Sequence, residues 1–167
     1  MTDAVSMQIT GLAELTRTLG TLPAVLTKRV LLGAVASGAS VIRQEAIRRA
    51  PYYTGSVQAG HPPPGTLRKA IYQTRLSREC TPTREVWIVS VKKGKALRAV
   101  KRGKKTVNLD AYYASWVEFG TAKMAARPFM RPAFETQKGN AFVAMDAYMR
   151  KVLPDAVAGA SFALGVK

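Results

Sequence analysis

The chain has few of the residues on which catalytic and metal sites are built. Its 167 residues include one cysteine and one histidine, and its 10 acidic residues are scattered. Cys80 alone excludes an intrachain disulfide and fits a reducing compartment. His61 lies in a proline-rich segment without a Cys, His or acidic partner at metal-ligand spacing. No glycine-rich phosphate loop is present. The sequence therefore predicts a non-enzyme with no catalytic residue, metal site or cofactor.

Long apolar runs are also missing from the sequence. The richest run, Val30–Ile42, is interrupted by glycines and serines, so we predict no segment that crosses a bilayer. The first ten residues lack the basic start and apolar core of a secretion signal, and no membrane partner is expected. Apolar residues still make up 47% of the chain, which is typical of a folded protein. The length predicts one domain over residues 1–153, followed by a C-terminal tail over 154–167.

Positive charge is abundant: 26 basic residues against 10 acidic ones give a net charge of +16. Such a charge favours polyanionic partners. The segment from Lys92 to Lys105 holds eight basic residues and no acid, which predicts a mobile solvated loop over 92–109. A second mobile loop is predicted over 51–66 from its high proline and glycine content. The segment lacks interleaved aromatics, so its contacts with DNA would be to the backbone and not sequence-reading. The candidate contacts with DNA or an acidic partner are Lys92, Lys93, Lys95, Arg98, Lys101, Arg102, Lys104 and Lys105.

Helix and strand patterns follow one another in the first two thirds of the chain. A long helix is predicted from Ala24 to Arg49, stopped by Pro51. Small residues in its middle would let another element approach closely, and we favour packing within one subunit. Ala70–Ser77 and Glu85–Lys93 are predicted as two strands joined by a hairpin-length connection. Before them, we expect a short strand over Ser6–Thr10 and a helical face bearing Leu12, Leu15 and Leu19.

The last third of the sequence indicates two more helices. Asp110 is a candidate cap for a short helix ending near Phe119, and Gly120 suits a left-handed residue after it. Pro132 fits the first turn of a final amphipathic helix. We expect Pro154 to end that helix, with a possible interruption at Gly139-Asn140.

An ordered set of short motifs resembles the head–tail joining (neck or tail-completion) family of tailed phages, of the type of the lambda minor tail protein Z. The two most specific pieces are YASWVEFGT (Tyr113–Thr121) and ARPFMRPAFE (Ala126–Glu135). The set covers roughly Gln8 to Arg150. Its other members are Gly11-Leu12 with Leu15, the long helix ending in Ala50-Pro51, Thr54-Gly55, and Leu67-Arg68 with Ile71.

The resemblance implies an α+β subunit, in which a long N-terminal helix packs on a small antiparallel β-sheet, with a short helix and a C-terminal helix. It implies a structural virion component of the neck or tail, assembled in the host bacterial cytoplasm. The expected partners are further copies in a ring, sixfold to match a tail tube, and neighbouring head-completion, tail-terminator or tail-tube proteins. A closed ring requires different surfaces to meet in each pair of subunits.

The same motifs supply candidate interface residues, because large aromatics and arginine dominate buried contacts between proteins. An alternative is that the aromatics form the core, which we favour for Trp116 and Phe119, and that the arginines cap helix ends. The candidates are Trp116, Glu118, Phe119, Arg127, Phe129, Met130 and Arg131.

Two rival functions are open. A nucleic-acid-binding module would bind the phosphate backbone through Lys92–Lys105 and Arg68–Arg84, with a steep dependence on salt. A basic toxin-like RNase would depend on His61, and we rank it last because no acid–base pair is visible.

Overall fold

The computed structural model describes residues 24–53, 62–94, 97, 100–102, 105–107 and 109–163. Helix α1 packs against a two-stranded antiparallel sheet and against helix α4, so the predicted α+β class is confirmed. In chain order, the elements are α1 (Ala24–Arg49), α2 (Thr66–Ala70), β1 (Ile71–Arg75), a 3-10 turn (Ser77–Glu79), β2 (Trp87–Val91), β3 (Val100–Arg102), β4 (Lys105–Val107), α3 (Ala114–Phe119) and α4 (Met130–Ala163).

Helix α1 has the predicted bounds, and its small residues face α4. A Cβ added at Gly33 would overlap the ring of Tyr148, and one added at Gly38 would overlap the side chain of Met145. The hydroxyl of Ser37 lies 3.3 Å from a backbone carbonyl oxygen of α4. The small residues therefore allow two helices of one subunit to pack closely, and the predicted packing within the subunit is confirmed.

The buried core lies where the end of α1 meets α2, β1 and the start of α4. Phe129 is its largest fully buried side chain. Helix α2 is too short for a periodic signal and was not expected from the sequence. Arg68 in α2 donates from Nε to the carbonyl oxygen of Ala50 at 2.9 Å, which binds α2 to the end of α1.

Strands β1 and β2 pair antiparallel, with Ile71 opposite Val91 and Arg75 opposite Trp87. The predicted pairing is confirmed, with strands shorter than expected at both ends. Val89 and Val91 pack against the core. Arg75 forms a bidentate ion pair with the carboxylate of Glu85, whose side chain is buried.

The basic segment, for which the sequence predicted a mobile solvated loop, contains two paired strands. β3 and β4 form an antiparallel hairpin with Arg102 opposite Lys105. The N–H of Leu109 donates to the carbonyl oxygen of Leu97 at 2.8 Å, and the side chain of buried Asp110 accepts from the N–H of Gly94 at 2.9 Å. Asp110 therefore ties the base of the segment and does not cap α3, whose N-cap residue is Tyr113.

Helix α4 corrects two further expectations. It runs without interruption through Gly139 and Asn140, and it continues past Pro154 to Ala163. A proline inside a helix removes one N–H and disturbs one turn, and here the helix continues on both sides of it. The predicted tail over 154–167 is therefore helical as far as Ala163.

Several predictions lie outside the described residues. They concern the strand over Ser6–Thr10, the helical face of Leu12, Leu15 and Leu19, and the segment containing Thr54-Gly55 and His61.

One helical segment, Lys28–Arg49 of α1, is long and apolar enough to cross a membrane, contrary to the sequence-based expectation. The core helix of a protein without a membrane segment passes the same test, so this is a weak indication. In the structure this helix packs against α4, β1 and β2.

Substitutions at two glycines test the packing of α1 on α4. Gly38→Leu should lower the free energy of unfolding by about 2–3 kcal/mol, because the new side chain has no room between the helices. Gly139→Ala is the matched control: an added Cβ there has no neighbour within 4 Å, and it should raise stability by about 1 kcal/mol through helix propensity. Urea unfolding measures both, and a Gly38→Leu protein as stable as the wild type would contradict the packing.

Glu45 is the acidic centre of a cluster at the end of α1. Its buried carboxylate accepts from Arg48 Nη2 at 2.6 Å and from Arg49 Nε at 2.5 Å. The hydrogen bonds from Arg48 lower the pKa of Glu45 to about 2 from an ordinary 4.5, with Arg49 acting in the same direction and desolvation opposing both. Because the folded pKa is lower than the unfolded one, the stabilisation is present above pH 4.5 and is lost as the pH falls towards 2.

The pH dependence of Glu45→Gln tests this cluster. At pH 7 the variant should unfold at lower urea concentration than the wild type, because an amide cannot supply the negative charge. The gap between the two urea midpoints should narrow between pH 4.5 and pH 2, where the wild-type carboxylate becomes protonated. A gap that stays constant down to pH 2 would show that Glu45 acts without its charge.

Candidate contact surface around helix α3

The carboxylate of Glu118, in α3, holds the first turn of α4. Its Oε2 accepts from the backbone N–H groups of Phe129 and Met130 at 2.8 and 3.0 Å, and its Oε1 accepts from that of Arg131 at 3.1 Å. The first N–H groups of a helix have no partner within the helix, and they favour a negative charge. Glu118 thus caps a helix that begins twelve residues after it in the chain.

Pro132 completes this cap. The fourth N–H of a helix start would also need a partner, and here that residue is a proline, which has no N–H. The next donor, the N–H of Ala133, already bonds to the carbonyl oxygen of Phe129 at 3.3 Å. Every unpartnered donor at the start of α4 is therefore either bonded to Glu118 or absent.

The loop between α3 and α4 is held by backbone bonds at its base. Gly120 has φ of +77°, and a Cβ there would lie 2.9 Å from backbone atoms of Met124 and Ala126, so only glycine fits. The N–H of Arg127 donates to the carbonyl oxygen of Val117 at 2.8 Å. The positive φ that the sequence predicted for Gly120 is confirmed. Its ψ of −178° is extended rather than left-handed helical.

Two predicted interface residues lie inside the subunit. Phe129 is only 1% exposed and belongs to the core, and Glu118 is buried beneath the start of α4. The prediction that Phe129 and Glu118 contact another molecule is therefore corrected, because both side chains are buried within the subunit. The sequence signal was ambiguous because an aromatic next to Arg-Pro suits both a core and an interface.

The opposite correction applies to Trp116 and Phe119, for which the sequence favoured the core. They are 51% and 64% exposed. Together with Tyr112, an exposed residue in the turn before α3, they form the surface named here the α3 surface. The rings of Tyr112 and Trp116 meet edge to face at 5.7 Å. The guanidinium of Arg131 lies 4.8 Å from the centre of the Phe119 ring, a cation–π contact that places a positive charge beside exposed aromatics.

Of the remaining interface candidates, Arg127 and Arg131 are exposed, and Met130 is half-buried against the core. The structure therefore brings Trp116, Phe119 and Arg131 together on one surface. Arg127 lines a separate groove.

This groove, named here the tyrosine groove, was not expected from the sequence. It encloses about 390 Å³ between the segment after α1 and helix α3. The rings of Tyr52 and Tyr53 are half exposed, and Arg68 lies over Tyr52 at 5.4 Å. The consecutive tyrosines after Pro51 were the available signal. The lining residues are Pro51, Tyr52, Tyr53, Gly65, Leu67, Tyr113, Val117, Met124, Ala125 and Arg127.

The basic candidates are described in part. Lys93 is exposed, and the ammonium group of Lys92 lies 5.4 Å from the centre of the Tyr72 ring. The backbone of Lys101, Arg102 and Lys105 lies in the β3–β4 hairpin. Three further candidates, Lys95, Arg98 and Lys104, lie outside the described ranges.

In the part of the chain that the structure describes, few residues could bind a metal or act as a thiol nucleophile. Within the described ranges, no group of three or more His, Cys, Asp or Glu side chains could hold a metal ion. Cys80 is half-buried, and its Sγ lies 3.1 Å from the carbonyl oxygen of Leu76 and 3.4 Å from the backbone nitrogen of Val86. These contacts place the thiol within the turn between β1 and β2.

Comparison with protein-family models, curated proteins and solved structures finds no match to this chain.

Substitution of Glu118 tests the cap. Glu118→Gln should lower the free energy of unfolding by about 2–3 kcal/mol, because an amide replaces one acceptor with a donor that faces other donors. The amide hydrogens of Phe129, Met130 and Arg131 should also exchange faster. Glu135→Gln is the control. That exposed carboxylate forms a surface ion pair with Lys138, so its loss should change stability by less than about 0.5 kcal/mol. Equal effects of the two substitutions would argue against the cap.

Proposed function

We propose that this protein is a structural component of the head–tail junction of a tailed phage, a neck or tail-completion protein that forms a ring around the DNA path. In this role the α3 surface contacts a neighbouring protein of the junction. The motif order in the sequence suggests the family. The exposure of Trp116 and Phe119, within one of the two most specific motifs, is the observation that carries the proposal.

The physical case rests on the contrast between neighbouring residues. Trp116 and Phe119 expose large aromatic surfaces, and such residues contribute most to binding when a partner covers them. Glu118, between them in the chain, is buried and fixes α3 to the start of α4. The aromatic face is therefore presented on a rigid support, which reduces the entropy lost on binding.

A second candidate function, backbone binding of nucleic acid, is favoured by the β3–β4 hairpin. Its register places Arg102 opposite Lys105. Like charges directly opposite each other destabilise a strand pair, and an anionic partner would relieve that repulsion. Phosphate groups and an acidic protein surface would both serve, so the hairpin also fits a subunit of a junction that encloses DNA.

Complementation of a phage lysate that lacks only this chain tests the proposed function. Negative-stain microscopy should show filled heads separate from tails, and supplying the wild-type chain should restore joined particles. Trp116→Ser combined with Phe119→Ser should fail to join them, because the aromatic contact area is removed. Unfolding by urea should change little, since both side chains are exposed.

Val143→Ser is the matched control, because Val143 is another exposed apolar residue but lies on α4. It should restore joined particles as the wild type does. Normal virions in the lysate without this chain would reject the junction role. In that case duplex binding should be measured against salt, since a backbone binder loses affinity with a slope near −0.9 per phosphate contact.

A further inference from the structure

The tyrosine groove has the lining of a binding site. Its walls are apolar and aromatic, and two half-exposed tyrosines, Tyr52 and Tyr53, form one side. Two cations stand at its edge: Arg127 lines the groove, and Arg68 lies over the ring of Tyr52. The groove therefore suits an apolar side chain flanked by negative charge.

Helix α4 carries such a feature on its outer side. Glu135, Phe142 and Asp146 are seven and four residues apart, so they lie along one face of the helix, named here the acidic strip. Phe142 is exposed, and so are the two carboxylates. Their ion pairs with Lys138 and Arg150 are within the helix and at the surface, so they contribute little and exchange readily.

The acidic strip differs in charge from the rest of this basic chain. The protein carries a net charge of +16, so two copies repel each other over most of their surface. Residues 134–150 contain two acidic and two basic residues and are neutral overall. Four other acids, Glu45, Glu85, Asp110 and Glu118, have side chains buried inside the subunit. Glu79 is exposed, but it lies in the turn between β1 and β2 and not on α4. A second copy that approaches the acidic strip therefore meets less of this repulsion than it would elsewhere on the described surface.

We propose that the acidic strip of one copy docks in the tyrosine groove of the next, with Phe142 against Tyr52 and Tyr53, and with Glu135 and Asp146 facing Arg68 and Arg127. The two surfaces differ, so the contact is head-to-tail, and repeated contacts close a ring or extend a filament. The inference deepens the proposed function by naming the surfaces between copies. The α3 surface is left for a different protein.

Mixed single-cysteine chains test this contact directly. In a Cys80→Ala background, chains with Phe142→Cys and a size tag are mixed with untagged chains carrying Tyr53→Cys, and the mixture is oxidised. A disulfide-linked product of mixed size is expected, because the two positions meet only between copies. Val143→Cys replaces Phe142→Cys in the control, since Val143 is exposed but lies about 100° around the helix. Mixed products no more abundant than in this control, or only Phe142→Cys homodimers, would overturn the contact.

Sedimentation of the otherwise wild-type chain gives an independent readout. Phe142→Glu should weaken self-association by about tenfold or more, whereas Val143→Glu should leave it unchanged. A wild-type chain that remains monomeric, or a Phe142→Glu chain that associates equally well, would overturn the proposal. If the chain does not self-associate as expected but still restores joined particles in the lysate, the docking mode is rejected and the junction role is retained.

Discussion

The carboxylate of Glu118 connects the two halves of the region on which the candidate surfaces depend. One side chain from α3 satisfies three backbone donors of α4, and Pro132 removes the fourth. The bond is between elements separated by a loop, so it fixes their relative position as well as the helix start. Both the α3 surface and the tyrosine groove include residues of α3 or of this loop. Their shape therefore depends on a buried charge that neither surface exposes.

Burial of acids has a second effect on this basic chain. Glu45, Glu85 and Glu118 each accept hydrogen bonds from arginines or backbone N–H groups inside the subunit. Their negative charge holds the fold together and does little to screen the surface from outside. The exterior is therefore more uniformly basic than the ratio of 26 basic to 10 acidic residues suggests. The few exposed acids consequently have more influence on which surfaces can meet.

The sequence predicted the fold well where it has a regular apolar pattern or a proline that ends a helix. The bounds of α1 followed from an apolar pattern that ends at Pro51, and the pairing of β1 with β2 followed from their β-branched residues. Helix α2 has only five residues, too few to show a period. The continuation of α4 through Pro154 could not be read from the residue alone, since proline stops helices in most settings.

The candidate site was harder to predict because exposure depends on contacts that are distant in the chain. Phe119 and Phe129 occur in neighbouring motifs only ten residues apart, but Phe129 is buried in the core with residues of α1 and α2 while Phe119 faces outwards. Sequence spacing placed Trp116 and Tyr112 on one helical face without indicating which way that face points. The tyrosine groove joins residues about 60 positions apart, so no local pattern could reveal it.

The loop between α3 and α4 is held by hydrogen bonds at its base and by a bridge between Thr121 and Met124 near its tip. Gly120 bonds back to Trp116, Arg127 bonds to Val117, and Glu118 holds the helix that follows. Residues 121–128 are all exposed. The tip at Ala122-Lys123 is thus a natural site for inserting an epitope or a fluorescent label, because added residues would lengthen an exposed turn without moving either helix. A label placed there would report the position of the chain in any complex that it forms.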